Sequence, residues 1–117
     1  PFLGPFLAYE LVTDLRHTYI GACAKDINKW ANAGPGAMRG LNRIYDRDLN
    51  YTSKRHDWCE EMKELLNFSV VPGVMRDVKE MLEMRDIEHS LCEFDKYERV
   101  RLGQGAPRSK YTYKGGQ

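Results

Sequence analysis

The densest concentration of chemically able side chains in this sequence is the run Arg85-Asp86-Ile87-Glu88-His89-Ser90-Leu91-Cys92-Glu93-Phe94-Asp95-Lys96-Tyr97. On a helix, Ile87, Leu91 and Phe94 would share a buried face, Glu88, Cys92 and Asp95 a second row, and His89, Glu93 and Lys96 a third. A carboxylate row beside a histidine at the end of a core helix furnishes a general base and a pair of groups for holding substrate. Glu88, His89, Glu93 and Asp95 are therefore the candidate catalytic groups. The competing reading makes Glu88, His89, Glu93 and Lys96 solvated i,i+3 and i,i+4 ion pairs, the commoner role for such a run.

A second segment, Asn32-Ala33-Gly34-Pro35-Gly36-Ala37-Met38-Arg39-Gly40-Leu41-Asn42-Arg43-Ile44, reads as a tight glycine hairpin between two helices. Gly34 and Gly36 permit positive φ and close approach, and Pro35 stiffens the turn. The following helix would then offer its unpaired N–H groups outward, at the positive end of its dipole, as an anion site. Small-Gly-x-Gly followed by Gly40 and Ile44 is the pattern of a helix-hairpin-helix element, whose amides grip the DNA backbone without reading sequence. An ordinary turn between helices is the alternative. On the DNA reading, Gly34, Pro35, Gly36, Arg39, Arg43, Lys96, Arg99 and Lys110 are the candidate DNA contacts.

The elements that must position these groups are helical, because apolar residues recur at spacings of three and four and no run alternates. A first helix is expected from Pro5 to His17, with Leu7, Leu11 and Leu15 as its stripe, backed by Phe6 and Val12. A short helix over Lys25–Asn32 leads into the hairpin, and a third runs from Ala37 to Tyr45, with Gly40 letting these two pack closely. Tyr45–Ser53 reads as a loop. From Lys54 an amphipathic helix carries Trp58, Met62, Leu65 and Leu66, ending before Pro72-Gly73. Val74, Val78, Met81 and Leu82 mark a further helix, continuing or breaking near Arg85-Asp86 into the ionisable run. Gly103-Gln104-Gly105-Ala106-Pro107 ends regular structure.

The 117 residues make one domain, large enough to bury a core without staples. The domain is expected over 1–101, with 102–117 a basic, tyrosine-containing extension. From Lys96 onward six basic residues face Glu98 alone, so a net charge of +1 conceals an acidic body and a basic end. With Tyr97, Tyr111 and Tyr113 interleaved, that end suits phosphates and bases, though solvated basic tails are common. Cys23, Cys59 and Cys92 are widely spaced and odd in number, which fits a reducing intracellular setting better than a disulfide framework. His17, His56 and His89 are too scattered for a metal site, and no metal or cofactor is expected. The P-loop, the Gly-x-Ser-x-Gly elbow, the dinucleotide fingerprint and the His-Glu-x-x-His helix are all missing. The apolar start lacks a signal peptide's basic flank and is broken by Gly and Pro, so no membrane association is expected. The sequence opens at Pro1 rather than Met, as a processed product or a piece of a longer chain would.

Pro1-Phe2-Leu3-Gly4-Pro5-Phe6-Leu7-Ala8-Tyr9-Glu10 and Thr13-Asp14-Leu15-Arg16, then Ala33 through Gly40, then Ile87 through Tyr97, together resemble thymine-hypermodification proteins. These are the alpha-glutamyl/putrescinyl thymine pyrophosphorylases and the related helical domain of 5-hydroxymethyluracil DNA kinases. The resemblance spans nearly the whole chain. It implies an all-α, compact helical domain with a helix-hairpin-helix-like element, similar to the helical core of DNA glycosylases. It implies, too, chemistry on an activated 5-hydroxymethylpyrimidine in DNA, with an amine or amino acid replacing pyrophosphate. Gly34, Pro35 and Gly36 would hold the backbone, and the Glu88–Lys96 segment would line a pocket for a flipped base. Met38 stands where bifunctional glycosylases carry a Schiff-base lysine, and the interval from Gly36 to Glu88 is longer than theirs.

The leading expectation is thus a base-modifying transferase in which Glu88, Glu93 or Asp95 deprotonates the amine while Arg39, Arg43, Lys96 and Arg99 bind pyrophosphate. The alternatives are a non-catalytic DNA-binding module serving a separate kinase or catalytic domain, and a helical protein-interaction domain. DNA, as duplex or flipped modified base, is the expected partner. The nucleus of a eukaryote or the host cytoplasm of a phage is the expected location.

Overall fold

The computed structural model describes residues 3–68, 82–106, 112 and 115. Among them the regular structure is entirely helical: α1 (Pro5–Leu15), α2 (Tyr19–Ala22), α3 (Pro35–Ile44), α4 (Trp58–Phe68) and α5 (Met84–Arg101). Of the helix expected over Val74, Val78, Met81 and Leu82, the first three residues lie outside the described residues, as does the Lys110 contact, and Leu82 is not helical.

The centre of the molecule is the pairing of α3 with α5, against which α4 also packs. Gly40 is what lets the two axes approach. A Cβ built there would lie 2.6 Å from the Leu91 carbonyl oxygen, so only hydrogen fits. Gly36 repeats the device one turn earlier, with a Cβ position 2.9 Å from Cys92 Sγ. Leu41, Met62, Met84 and Leu91, with Tyr9, Ala31 and Ala37, form the core around this seam. Each large aliphatic there contributes about 1.5–3 kcal/mol through burial. Trp58, Leu65 and Leu66 flank Met62 on the apolar side of α4, as the spacing predicts.

Several boundaries differ from the sequence expectation for local reasons. The third helix begins at Pro35, since proline's missing N–H costs nothing at the first helical position. The fourth begins at Trp58 rather than Lys54, because the Asp57 carboxylate accepts the Glu60 N–H and caps it. The fifth begins at Met84, close to the break allowed near Arg85-Asp86, through a capping box in which Glu83 N–H donates to Asp86 Oδ2 at 2.7 Å. It ends where Gly103 adopts φ +67° and Gln104 N–H donates to the Arg99 carbonyl.

Two expectations are overturned. Lys25–Asn32 is not a helix: residues 25–29 form a turn, and the chain then runs to Pro35 without regular structure. The glycine segment therefore has one flanking helix, and Gly40 closes the α3–α5 contact instead of joining helices on either side of the hairpin. The stripe on α1, which ends at Leu15 and not His17, is also not its buried face. Tyr9 and Thr13 turn inward, while Phe6, Leu7, Leu11, Val12 and Leu15 are exposed.

Candidate functional site

The buried residues of α5 are Met84, Glu88, Leu91 and Asp95, so the row facing α3 carries two carboxylates among its apolar members. Phe94, expected inside, is 37% exposed. Burying a carboxylate is expensive unless something answers its charge, and the two are answered differently.

Asp95 is fully buried beneath arginines. Its Oδ2 accepts from Arg39 Nε at 2.8 Å and its Oδ1 from Arg43 Nε at 3.0 Å, with Arg99 Nε 3.6 Å from Oδ2. One carboxylate thus gathers three guanidinium groups and leaves a local excess of positive charge. Arg43 is the deepest of the three and also donates to Gln104 Oε1 at 2.8 Å, which leaves it as a strut. Arg39 and Arg99 remain partly exposed on the cleft side.

Glu88 has no such cation against it. Burial pushes its carboxyl above the ordinary range, and the Cys92 thiol, His89 and the Gly34 amide only partly offset this. Cys92 Sγ lies 3.4 Å from Glu88 Oε1 as a donor, and burial together with the Glu88 charge holds that thiol protonated, up to about 12. His89 Nε2 sits between two carboxylates, 3.6 Å from Glu88 Oε2 and 3.5 Å from Glu10 Oε1, within one small movement of bonding either. Tyr9 meets the His89 ring edge-on at 6.4 Å between centroids. Its phenol is pushed up to about 12, by burial first and the charge of Glu88 second.

These groups line a cleft of about 450 Å³ with an acidic end at Glu10, Glu88 and His89 and a basic end at Arg39, Lys96 and Arg99. Glu93 also lines it but is mostly exposed, where it pairs with Lys96 in the solvated manner of a surface ion pair. Of the expected catalytic set, then, Glu88 and His89 stand side by side, Glu93 lies at the rim, and Asp95 sits under the basic end as its anchor.

The expected anion site at the glycine segment is arranged otherwise. Gly34 has φ −71°, and Gly36 lies inside α3, so neither uses a positive φ. Both glycines face α5: a Cβ on Gly34 would be 3.4 Å from Glu88 Oε1, and the Ala37 amide acts on Cys92. The start of α3 is thus met by the protein's own Glu88 and Cys92, with Gly36 still lining the cleft wall. Phe6 and Glu10, which complete the opposite wall, were not singled out as site residues. They lie on α1, and only tertiary contact brings them to α5.

The chain matches a protein family over residues 1–106, the family described as the helical domain of 5-hmdU DNA kinase, and it belongs to that family. No curated protein and no solved structure matches it. Among the described residues no helix is long and apolar enough to cross a membrane.

Proposed function

We propose that this helical domain binds a 5-hydroxymethylpyrimidine nucleotide of DNA and acts on it as a transferase of a thymine-hypermodification system. The observation that carries this is the cleft itself, where a carboxylate raised by burial stands opposite an Arg39–Arg99 pair held by Asp95. In this reading the base is flipped into the cleft with a diphosphate on its exocyclic oxygen at the basic end. The amine enters at the acidic end as an ammonium ion. Glu88, whose raised pKa brings it nearer neutrality, takes its proton. The freed nitrogen attacks the methylene carbon, the carbon–oxygen bond breaks, and pyrophosphate leaves onto Arg39, Arg99 and Lys96. His89 carries the proton from Glu88 toward Glu10 and solvent. Asp95 is a positioning residue, Arg43 its strut, and Glu93 with Lys96 forms the mouth.

A second reading draws on the family description, which names a domain of a kinase, together with the lack of a P-loop in this sequence. The domain would then deliver DNA to a separate kinase or catalytic domain. Glu88→Gln separates the two. With duplex carrying the diphosphorylated base and an amine, the transferase reading requires loss of pyrophosphate release with DNA affinity kept. Undiminished release removes Glu88 from the chemistry, and binding without release by the wild type selects the delivery role. Arg39→Ala with Arg99→Ala should weaken binding in either case. These variants are better probes of DNA contact than substitutions at Gly36, which would wedge against Cys92.

A further inference from the structure

A second cleft, of about 510 Å³, opens on another face of α3, lined by Met38, Thr52, Ser53, Lys54 and Trp58. Met38 and Arg39 are consecutive, about 100° apart around the helix, so the two clefts flank α3. Trp58 is fixed in place before any ligand arrives. Its Nε1–H donates to the Ser53 carbonyl at 3.2 Å, the His56 ring lies against it at 4.4 Å between centroids, and the Arg47 guanidinium stands 5.3 Å from it. Arg47 is itself held by both oxygens of Glu61. Lys54, which lines the cleft, and Arg55, the next residue in sequence, are exposed and have no ion-pair partner among the described residues. Ser53 Oγ accepts the Arg55 N–H at 3.2 Å and keeps its own hydrogen to donate.

We infer that this second cleft is a nucleotide site, taking a base against Trp58 and Met38 and its phosphate on Lys54, with Arg55 adding positive charge from the next position in sequence. An immobilised indole loses little freedom on binding, and the Met38 thioether lining the same cleft adds a polarisable contact beside it. The free cations supply the complementary charge. Thr52 and Ser53 add hydroxyl donors beside them. The ligand is either a free nucleotide or a nucleotide of a strand that crosses α3 from the first cleft. The latter source rests on the DNA reading proposed above.

The chain has two tryptophans, so Trp30→Phe leaves Trp58 as its single indole reporter. That variant, checked by circular dichroism, is titrated with thymidine 5′-monophosphate and with a single-stranded thymidine oligonucleotide while its fluorescence is followed. Saturable quenching is expected, weakened about tenfold by Lys54→Glu with Arg55→Glu, two exposed changes that leave the fold intact. Quenching by the mononucleotide marks a self-sufficient site, and quenching by the oligonucleotide alone marks a strand groove. In the otherwise native chain the same charge reversal should weaken oligonucleotide binding, measured by anisotropy, by a similar factor. Anisotropy-detected binding with no Trp58 quenching, or with full affinity after charge reversal, overturns the second site and leaves the first standing. Arg39→Ala with Arg99→Ala should leave the mononucleotide quenching unchanged, and its loss in that variant would show that Trp58 reports the first cleft instead.

Discussion

Glu88 and Asp95 occupy the same row of one helix, two turns apart, yet they bear opposite relations to stability. Asp95 is met by cations on both oxygens. Glu88 is buried without one and is raised, so the folded state favours its neutral form. A carboxyl raised in the folded state gives stability that is full below its unfolded pKa of about 4.3 and is lost as pH rises through the folded value. Ionising Glu88 therefore costs the folded state stability, a trade that the catalytic role proposed above would account for. Glu88→Gln should melt a few degrees higher than wild type between pH 7 and 8, the gap closing toward pH 4. A variant that melts lower at neutral pH, or by a margin independent of pH, would show that the Glu88 charge is satisfied after all.

At the scale of elements, the seam between α3 and α5 decides whether the two charge clusters face each other at all. Alanine is ordinarily better than glycine inside a helix by about 1 kcal/mol, whereas overpacking costs about 1–3 kcal/mol. At Gly40 the obstructing atom is a backbone carbonyl oxygen, which cannot swing aside as a side chain can. Gly40→Ala should therefore lower the urea midpoint and, by pushing Arg39 away from Asp95, weaken the DNA binding proposed above as well. An unchanged or higher midpoint would mean that the helices separate freely. This seam was half legible in the sequence, where Gly40 announced a close contact but pointed to the Lys25–Asn32 segment instead of α5. Periodicity identified α3, α4 and α5 because each carries its apolar face within itself. It found α1 but not its buried face, since Leu7, Leu11 and Leu15 are exposed while Tyr9 and Thr13 turn inward. It failed at Lys25–Asn32, a segment too short to sustain a helix without packing. The Glu88–His89 pair was visible because both lie on one helix, whereas Glu10 reaches them only through the fold, and spacing along a chain cannot report that.

Across the whole molecule, one carboxylate gathers the N-terminal helices onto the start of the site helix, beside the Tyr9 and Glu10 contacts to His89. Glu83 stands at the N-cap of α5 and takes Arg16 from the end of α1, through Nε at 3.0 Å and NH2 at 2.6 Å, and Arg85 Nε at 3.0 Å. Arg16 NH1 in turn reaches the carbonyls of Gly21 and Ala22, so α1, α2 and α5 share this junction. The junction sets where Glu10 on α1 stands relative to His89 on α5. The Arg16 hydrogen bonds, followed by those of Arg85, hold the Glu83 carboxyl below its ordinary range. A carboxyl lowered in this way gives stability that is present above about pH 4.3 and lost as pH falls through the folded value, the reverse of Glu88. Glu83→Gln should accordingly lower the melting temperature at pH 7 and converge on wild type in acid. Its pH profile would then slope against that of Glu88→Gln, and the Glu10–His89 wall would loosen with it. Equal melting of Glu83→Gln and wild type at pH 7 would show that α1 is held to α5 without the Glu83 charge, by Tyr9 packing and the Arg85 contact with the Thr13 carbonyl.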